Sequence, residues 1–341
     1  MYIFITPPFY VADEYSHFQK SASEEKIYLR GSLQIDSGIK KFSDDYEKLA
    51  LNKWNKDREY KYSLKSITNK SYELTNSLTP ANLAGLSGYP VTGYFISKIT
   101  NIISKMITKD ITKIFYFGRV SNLVFCMIVC WLVIKSIPIG KEYLFLILSM
   151  PMTLTLFGSY NQDAILFSYT LIIIYFTNKV KQQSTGIELN LTIIQIVSLF
   201  LIMGRPTYLG FLLLILYLII KYSGLKIRQL LLYFLIIIFI IIFIKTYPTP
   251  PQSNIVNFPQ DIIRIIILLF SDIYFNLLKY IALMIGGLGR IDIIVNYFSI
   301  VFISFCILFL FFSEINYKKF FSKFNIVIYL VFLSTIALTL L

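Results

Sequence analysis

The sequence predicts an all-α polytopic membrane protein, a helical bundle preceded by a large extracytoplasmic first loop. Of its 341 residues, 56% are hydrophobic and only 15% are charged, whereas a soluble domain carries about 25% charged residues. Several apolar runs approach the roughly 20 residues that a helix needs to cross a bilayer. These runs follow a long polar segment, residues 7–113, which contains no spanning run.

The composition also argues against several other classes of protein. Cys126, Cys130 and Cys306 all lie in apolar runs and are typical of core residues rather than of a disulfide framework. His17 is the only histidine, which excludes a His-rich metal cluster. The net charge of +13 fits lysines that flank spans and meet anionic lipid, so we expect membrane lipids and no nucleic acid as partners. The sequence contains no Walker A motif, no Gly-x-Ser-x-Gly elbow and no zinc signature. ATP-driven transport and serine hydrolysis therefore have no support from its motifs.

Both ends of the chain resemble parts of membrane helices. Residues 1–6 are too short to span, and Pro7 and Pro8 are typical of a helix exit. We therefore interpret residues 1–6 as the remnant of a first transmembrane helix. The last run, 324–341, is still apolar where the sequence stops, and we expect further helices beyond it.

Residues 7–113 are predicted to form an extracytoplasmic loop domain with juxtamembrane helices. Residues 13–29 have a helix-forming composition. Residues 94–107 are apolar at every third or fourth position, the pattern of an amphipathic helix on a membrane surface. The sequence between these two stretches is polar and predicts no regular element.

Residues 114–341 are predicted to form a transmembrane bundle of about eight helices. Pro151 predicts a kink in the second of them. The predicted spans are 114–134, 142–158, 162–177, 189–203, 207–220, 229–245, 292–312 and 325–341.

Lysine and arginine residues in the connections predict sidedness. They are concentrated in alternate connections between the predicted spans. A single orientation of the protein in the membrane places all of these connections in the cytoplasm. Residues 7–113 then lie outside, and residues 246–291 form an outer-face loop or interfacial segment. The basic connections are 135–141, 178–188, 221–228 and 313–323.

Titratable groups gather where the chain leaves the membrane. Asp13 and Glu14 lie four and three residues before His17, a spacing that places all three on one side of a helix. In an otherwise apolar protein, titratable side chains clustered at a membrane boundary indicate a candidate functional site. The alternative is a solvated helix start, whose acids the helix dipole favours.

A second acidic motif opens the third predicted span. Asp163 follows Asn161 and Gln162 there. This motif is either a helix N-cap, which stabilises by about 1 kcal/mol, or a source of a second carboxylate in the outer cavity that holds Asp13.

Three arginines on the outer face permit two interpretations each. Arg205 lies in a short turn between two apolar runs, where an arginine either extends to the interface or holds a lipid phosphate. Arg119 and Arg290 permit the same alternatives. Gly286 to Gly289, before Arg290, follow no predicted strand, so they indicate a tight turn rather than a dinucleotide site.

The order of these motifs resembles a bacterial membrane protein family, domain-of-unknown-function 2142, which is grouped with the GT-C glycosyltransferases. The resemblance covers almost the whole chain. Two departures are Arg205-Pro206-Thr207-Tyr208, where the family has Lys-Pro-Pro-Tyr, and Arg290, where it has Trp. The matching motifs are Pro7-Pro8, Asp13-Glu14 with His17-Phe18, Tyr89 to Tyr94, Gly118-Arg119, Asn161 to Ala164, Arg205 to Tyr208, and Leu288 to Asp292.

The resemblance implies a GT-C-like bundle in the bacterial inner membrane and a sugar transfer at its outer face. The implied donor is a sugar on polyprenyl phosphate, and the acceptor is a cell-envelope glycan or lipid. Asp13 is our candidate catalytic base, with Glu14 as its competitor, and His17 orients Asp13 or binds phosphate. Arg205 is the candidate phosphate clamp. No organic cofactor is expected, and a divalent metal ion is left open.

A second hypothesis comes from another class of protein. The chain is then a non-catalytic membrane protein for polysaccharide export or assembly that binds a lipid-linked glycan. The acid pair beside His17 favours the enzyme.

Overall fold

The structure, a computed structural model, is mostly helical and divides into two compact units. The first unit comprises residues 1–128, 151–165 and 287–293, and the second comprises 129–150, 166–286 and 294–341. The described residues are 8–11, 13–23, 33–55, 71–81, 91–138, 141–182, 186–224, 226–246, 287–288 and 293–294.

The described part of the predicted loop domain contains three helices, all in the first unit. Helix α1 (Glu14–Ala22) lies against α2 (Ser37–Asn55) and α3 (Phe95–Ile107). Ser23 adopts an extended conformation and ends α1, so this helix is shorter than the predicted stretch 13–29. Helix α3 agrees with the amphipathic helix predicted at 94–107.

Helix α2 was not predicted from the sequence, which is polar in this stretch. Its buried face is formed by Ile39, Phe42 and Tyr46, which recur at three- and four-residue spacing and are at most 2% exposed. These three side chains dock α2 into the apolar core that also contains Phe9 and Phe18.

A short antiparallel sheet fixes the start of α2. Strand β1 (Gln34–Asp36) pairs with β2 (Leu78–Pro80) in the register Ile35 to Thr79. The carboxylate of Asp36 accepts hydrogen bonds from the backbone N–H groups of Gly38 and Asn76 at 2.8 and 2.7 Å. These bonds stabilise the turn from β1 into α2.

The core of the first unit is aromatic. Phe9, Phe18, Phe42 and Phe115 are fully buried. Phe115, on helix α4 (Ile111–Ser136), meets Phe9 and Phe18 edge-to-face, with ring centroids 5.2 and 5.0 Å apart, an arrangement that the ring quadrupoles favour. Burial of each such side chain stabilises by about 1.5–3 kcal/mol.

Two helices in the described part of the chain are long and apolar enough to cross a membrane, α4 and α8 (Ile187–Gly204). They coincide with the first and fourth predicted spans. The third predicted span lies within helix α7 (Gln162–Gln182). The predicted spans 292–312 and 325–341 lie outside the described residues, apart from 293–294.

The second predicted span is divided at Pro151. Helix α5 (Lys141–Leu148) ends before this residue, and α6 (Pro151–Phe157) begins with it. The predicted kink is therefore a break. Proline lacks an N–H and crowds the preceding turn, but it is well suited to the first position of a new helix.

The last described helices belong to the second unit. A 3₁₀ turn (Pro206–Gly210) leads into α9 (Phe211–Leu218), which continues as one π turn (Ile219–Ser223). Helix α10 (Ile227–Thr246) then packs against α8. The fifth and sixth predicted spans coincide with these shorter apolar helices.

Buried amides join α8 to α10. The side-chain N–H of Gln195 donates to the side-chain oxygen of Gln229 at 3.1 Å, and both residues are at most 1% exposed. Such amide pairs hold apolar helices together in a membrane, typically by about 1 kcal/mol.

Candidate functional site

Glu14, the first residue of α1, forms a bidentate ion pair with Arg119 inside the first unit. The Nε and Nη2 groups of Arg119 donate to its two carboxylate oxygens at 2.9 and 2.6 Å. The backbone N–H groups of Tyr160 and Phe9 each donate to the same carboxylate at 3.1 Å. A buried charge needs such partners. Glu14 thus joins the loop before α1, helix α4 and the segment before α7.

The pair Gly118-Arg119 on α4 has a structural explanation in the described residues. Arg119 is 1% exposed, and its guanidinium carbon lies 4.6 Å from the centre of the Phe115 ring, a cation–π contact. A Cβ atom at Gly118 would lie 1.7 Å from the hydroxyl oxygen of Tyr160. Glycine at this position therefore lets Tyr160 pack against α4.

Tyr160 extends the network from Glu14 to α3. Its hydroxyl donates to the side-chain oxygen of Asn101 at 2.9 Å, and the side-chain N–H of Asn101 donates to Ser21 at 2.9 Å. Burial, and after it the charge of Glu14, raises the pKa of Tyr160 well above its usual range. The hydroxyl thus stays protonated and acts as a donor.

His17 lies on α1, one turn after Glu14, and faces Tyr94. Its Nδ1 atom is 2.6 Å from the hydroxyl oxygen of Tyr94, and the ring centroids are 5.6 Å apart. Tyr94 ends the 3₁₀ turn Val91–Tyr94, directly before α3. The two side chains are 5% and 2% exposed, so this pair lies inside the unit.

Asp13 differs from Glu14 and His17 because its side chain is exposed. Its backbone has φ 60° and ψ 0°, the left-handed region that aspartate tolerates better than most residues. Its carboxylate makes no capping hydrogen bond to α1 and has no partner among the described residues. The three titratable groups therefore do not form one cluster: two are buried, and Asp13 faces outward.

The motif at the start of α7 is a helix cap with a close backbone contact. The side-chain oxygen of Asn161 accepts a hydrogen bond from the N–H of Asp163 at 2.7 Å, as an N-cap does. Gln162 is buried against Gly93, where a Cβ atom would lie 2.9 Å from the Cβ of Gln162. Asp163 is half-buried.

The first unit contains most of the motifs found in the sequence. Residues 13–17, 91–94, 118–119 and 161–164 all belong to it. So does strand β3 (Gly287–Leu288), which lies against α6 and pairs with β4 (Ile293–Ile294).

The two other candidate arginines have different positions. Arg205 belongs to the second unit, where it ends α8 and its backbone N–H donates to the carbonyl oxygen of Leu201 at 3.1 Å. The preceding Gly204 allows a close approach, because a Cβ atom there would lie 2.3 Å from Leu166. Arg290 lies outside the described residues.

Comparison with known families decides the family of the chain. The family described as "Predicted membrane protein (DUF2142)" matches residues 1–341. The chain belongs to the DUF2142 family. No curated protein and no solved structure matches it. The two candidate spans agree with this family's description.

Sequence reasoning missed three residues that hold the DUF2142 site together: Tyr94, Asn101 and Tyr160. Tyr94 ends one motif noted in the sequence analysis and Tyr160 directly precedes another, but a neutral side chain gave no reason to select either residue. Asn101 had a usable signal, since it interrupts an apolar helix at helical spacing from Ser97 and Ser104.

The described residues of this DUF2142 protein contain no group of three or more His, Cys, Asp or Glu side chains that could hold a metal ion. Glu14 is engaged by Arg119, and His17 by Tyr94. The divalent ion that the sequence left open is therefore not assigned to any described residue.

Proposed function

We propose that this DUF2142 protein is a membrane glycosyltransferase. It transfers a sugar from a polyprenyl-phosphate-linked donor to a cell-envelope glycan or lipid acceptor at the outer face of the bacterial inner membrane. One observation carries the proposal. The exposed carboxylate of Asp13 stands in a defined backbone conformation directly beside the buried Glu14–Arg119 ion pair.

In the proposed reaction Asp13 is the general base. It takes the proton of the acceptor hydroxyl while that oxygen attacks the anomeric carbon of the donor sugar. The bond from this carbon to the phosphate oxygen breaks, and its electron pair leaves with the phosphate. A base must come within about 2.6–3.2 Å of the oxygen that it deprotonates, and an outward-facing carboxylate has room for such an acceptor.

Glu14 has a positioning role in this proposal. A carboxylate offers about four lone-pair sites, and those of Glu14 already receive hydrogen bonds from Arg119, Tyr160 and Phe9. Arg119 in turn binds Glu14, so in this proposal it does not bind the donor phosphate. His17 contributes by tying α1 to the segment before α3 through Tyr94.

The departing phosphate requires positive charge, because negative charge grows on it as the bond breaks. Arg205 and Arg290 are our candidates for this task, since a guanidinium matches phosphate oxygens in two hydrogen bonds. Asp163 is the candidate for a hydrogen bond to a substrate hydroxyl.

The test is Asp13→Asn in the full-length protein. Asparagine also tolerates the left-handed backbone region, so this change removes basicity while it preserves the local fold. A deletion strain is complemented with wild-type protein, Asp13→Asn or Glu73→Gln, and its envelope glycans are profiled by mass spectrometry. Glu73 is an exposed carboxylate of the same unit and serves as the matched control.

We expect Asp13→Asn to resemble the deletion strain and Glu73→Gln to resemble wild type, at equal protein levels. Wild-type glycans with Asp13→Asn would remove Asp13 from the mechanism. An unchanged glycan profile in the deletion strain itself would argue against sugar transfer altogether.

The second candidate is the non-catalytic protein that binds a lipid-linked glycan during export or assembly. The engagement of Glu14 and His17 within the fold favours it, because two of the three motif groups already have structural partners. This candidate predicts that deletion alters the glycan profile while Asp13→Asn does not.

A further inference from the structure

We propose that helix α3 lies in the lipid interface with its outward face in contact with phospholipids, and thereby holds the Tyr94 and Asn101 contacts at the membrane surface. This inference concerns a lipid-binding surface and does not rest on the proposed function.

The outward face of α3 is apolar. Its six large side chains are between 40% and 81% exposed, with Met106 and Ile107 the most exposed. They recur at three- and four-residue spacing, so they form one broad stripe along the helix. On a soluble protein, an exposed apolar stripe of this size marks an interaction site. Its members are Phe95, Ile99, Ile102, Ile103, Met106 and Ile107.

The inward face of α3 is polar and already occupied. Ser97, Asn101 and Ser104 are at most 2% exposed. Asn101 is hydrogen-bonded to Ser21 and Tyr160, and the Lys105 ammonium donates to the backbone oxygen of Ala22 at 3.2 Å. Rotating the helix would break these bonds, so the first unit itself cannot cover the apolar stripe.

Lipid is the occupant that the surroundings of α3 favour. Only residues 108–110 separate α3 from α4, a candidate span of a membrane protein family. The stripe is thus continuous along the chain with a membrane-facing element. Helices with this pattern bury their apolar face at the boundary of headgroups and acyl chains.

The charges around α3 point the same way. The helix contains no acidic residue; Lys98 on it is half-buried, and Lys109 is exposed just after it. Such positive charge complements the anionic headgroups of a membrane surface. It opposes a second copy of the same face, because like charges would meet.

The consequence is a fixed height for the candidate site. Tyr94, which bonds His17, directly precedes α3, and Asn101 supports Tyr160 from its inner face. If α3 rests on lipid, these residues lie at headgroup level. A molecule that reaches them can then arrive from the lipid phase.

The experiment uses full-length protein with Cys306→Ser in vesicles of phosphatidylcholine and phosphatidylglycerol. Cys126 and Cys130 are buried, so an added cysteine is labelled selectively with a polarity-sensitive fluorophore. Met106→Cys and Ile103→Cys report on the stripe. Gln34→Cys is the control, because Gln34 is exposed in the same unit. The Cys306→Ser protein without an added cysteine measures the background labelling.

We expect lipids brominated near the headgroup to quench the label at 106 and at 103 several-fold more than at 34. Iodide in the water should show the reverse order. Quenching of both stripe positions by iodide alone would overturn the proposal. So would protection of both positions from lipid and iodide, which would show that another protein or a second copy covers the face.

Discussion

Arg119 donates two hydrogen bonds to Glu14 in the interior of the first unit, at 2.9 and 2.6 Å. Their side chains are 1% and 0% exposed. A second ion pair, Lys226 with Glu188 in the second unit, is instead 60% and 45% exposed. The protein therefore offers a buried and a solvated ion pair for direct comparison.

Glu14→Gln should destabilise the first unit strongly. The change leaves the guanidinium of Arg119 buried without its counter-charge, which costs about 3–5 kcal/mol in comparable proteins. The measurement is the unfolding midpoint of purified protein in detergent, with circular dichroism as the signal. Glu188→Gln, which opens the exposed pair, should leave the midpoint nearly unchanged, since water screens such pairs.

The double variant Glu14→Gln with Arg119→Met separates charge from packing. It removes both charges and keeps apolar volume, so it should recover part of the stability lost in Glu14→Gln alone. A double variant less stable than either single one would show that the ion pair is not what these residues contribute.

Gly118→Ala should destabilise the same region through overlap. The added Cβ would lie 1.7 Å from the hydroxyl oxygen and 2.3 Å from the ring carbon that carries it on Tyr160. Tyr160 is fully buried, so its displacement should cost at least about 1–3 kcal/mol. Val120→Ala on the same helix is the control. Alanine is a better helix former than either glycine or valine, so helix propensity changes in the same direction in both variants. We expect Val120→Ala to lower the midpoint less, because it adds no atom near Tyr160.

The helical class and several spans could be predicted because they depend on local patterns. Composition and apolar run length indicate α4 and α8 without any knowledge of their neighbours. Pro151 interrupts a run for a reason that is equally local. Helix α2 could not be predicted, since its three buried apolar residues become informative only once the aromatic core exists.

The candidate site could be predicted by residue but not by role. Asp13, Glu14 and His17 share one motif, yet their burial differs because the left-handed backbone of Asp13 turns the chain just before α1. Nothing in the sequence pairs Glu14 with Arg119, which lies 105 residues away. A contact between distant segments therefore accounts for the burial of Glu14, and the local backbone accounts for the exposure of Asp13.

Stability at acid pH should depend on Asp36. Burial alone would raise the pKa of this carboxyl, but hydrogen bonds from Thr75, Gly38 and Asn76 outweigh it and lower the pKa below the ordinary 3.8. Because the folded pKa is the lower one, the contribution is complete above 3.8 and is lost as the pH falls through the folded value.

Hydrogen exchange of the peptide 71–81 measures this effect, because the amides of Thr75 and Asn76 donate to Asp36. Their protection in wild type should fall as the pH drops below 3.8, after correction for the intrinsic exchange rate. Asp36→Asn should show weak protection at every pH and no step, since a neutral amide is a poorer acceptor. An equal step in both proteins would assign it to another group.

The hydrogen bond between His17 and Tyr94 should be visible by itself, because His17 is the only histidine of the chain. Labelling with ¹⁵N-histidine therefore gives one pair of ring signals in solid-state spectra of reconstituted protein. Tyr94→Phe keeps the ring but removes the hydroxyl that lies 2.6 Å from Nδ1. We expect the Nδ1 signal to shift clearly and Nε2 to change less.

The same variant should lose stability, since a buried nitrogen without its partner costs about 1–3 kcal/mol. Tyr15→Phe is the matched control, because Tyr15 also bonds a side chain, Asp44, but lies partly exposed. That change should leave both His17 signals in place. An unchanged Nδ1 signal in Tyr94→Phe would show that Tyr94 does not hold the imidazole, and the tie between α1 and the segment before α3 would then need another residue.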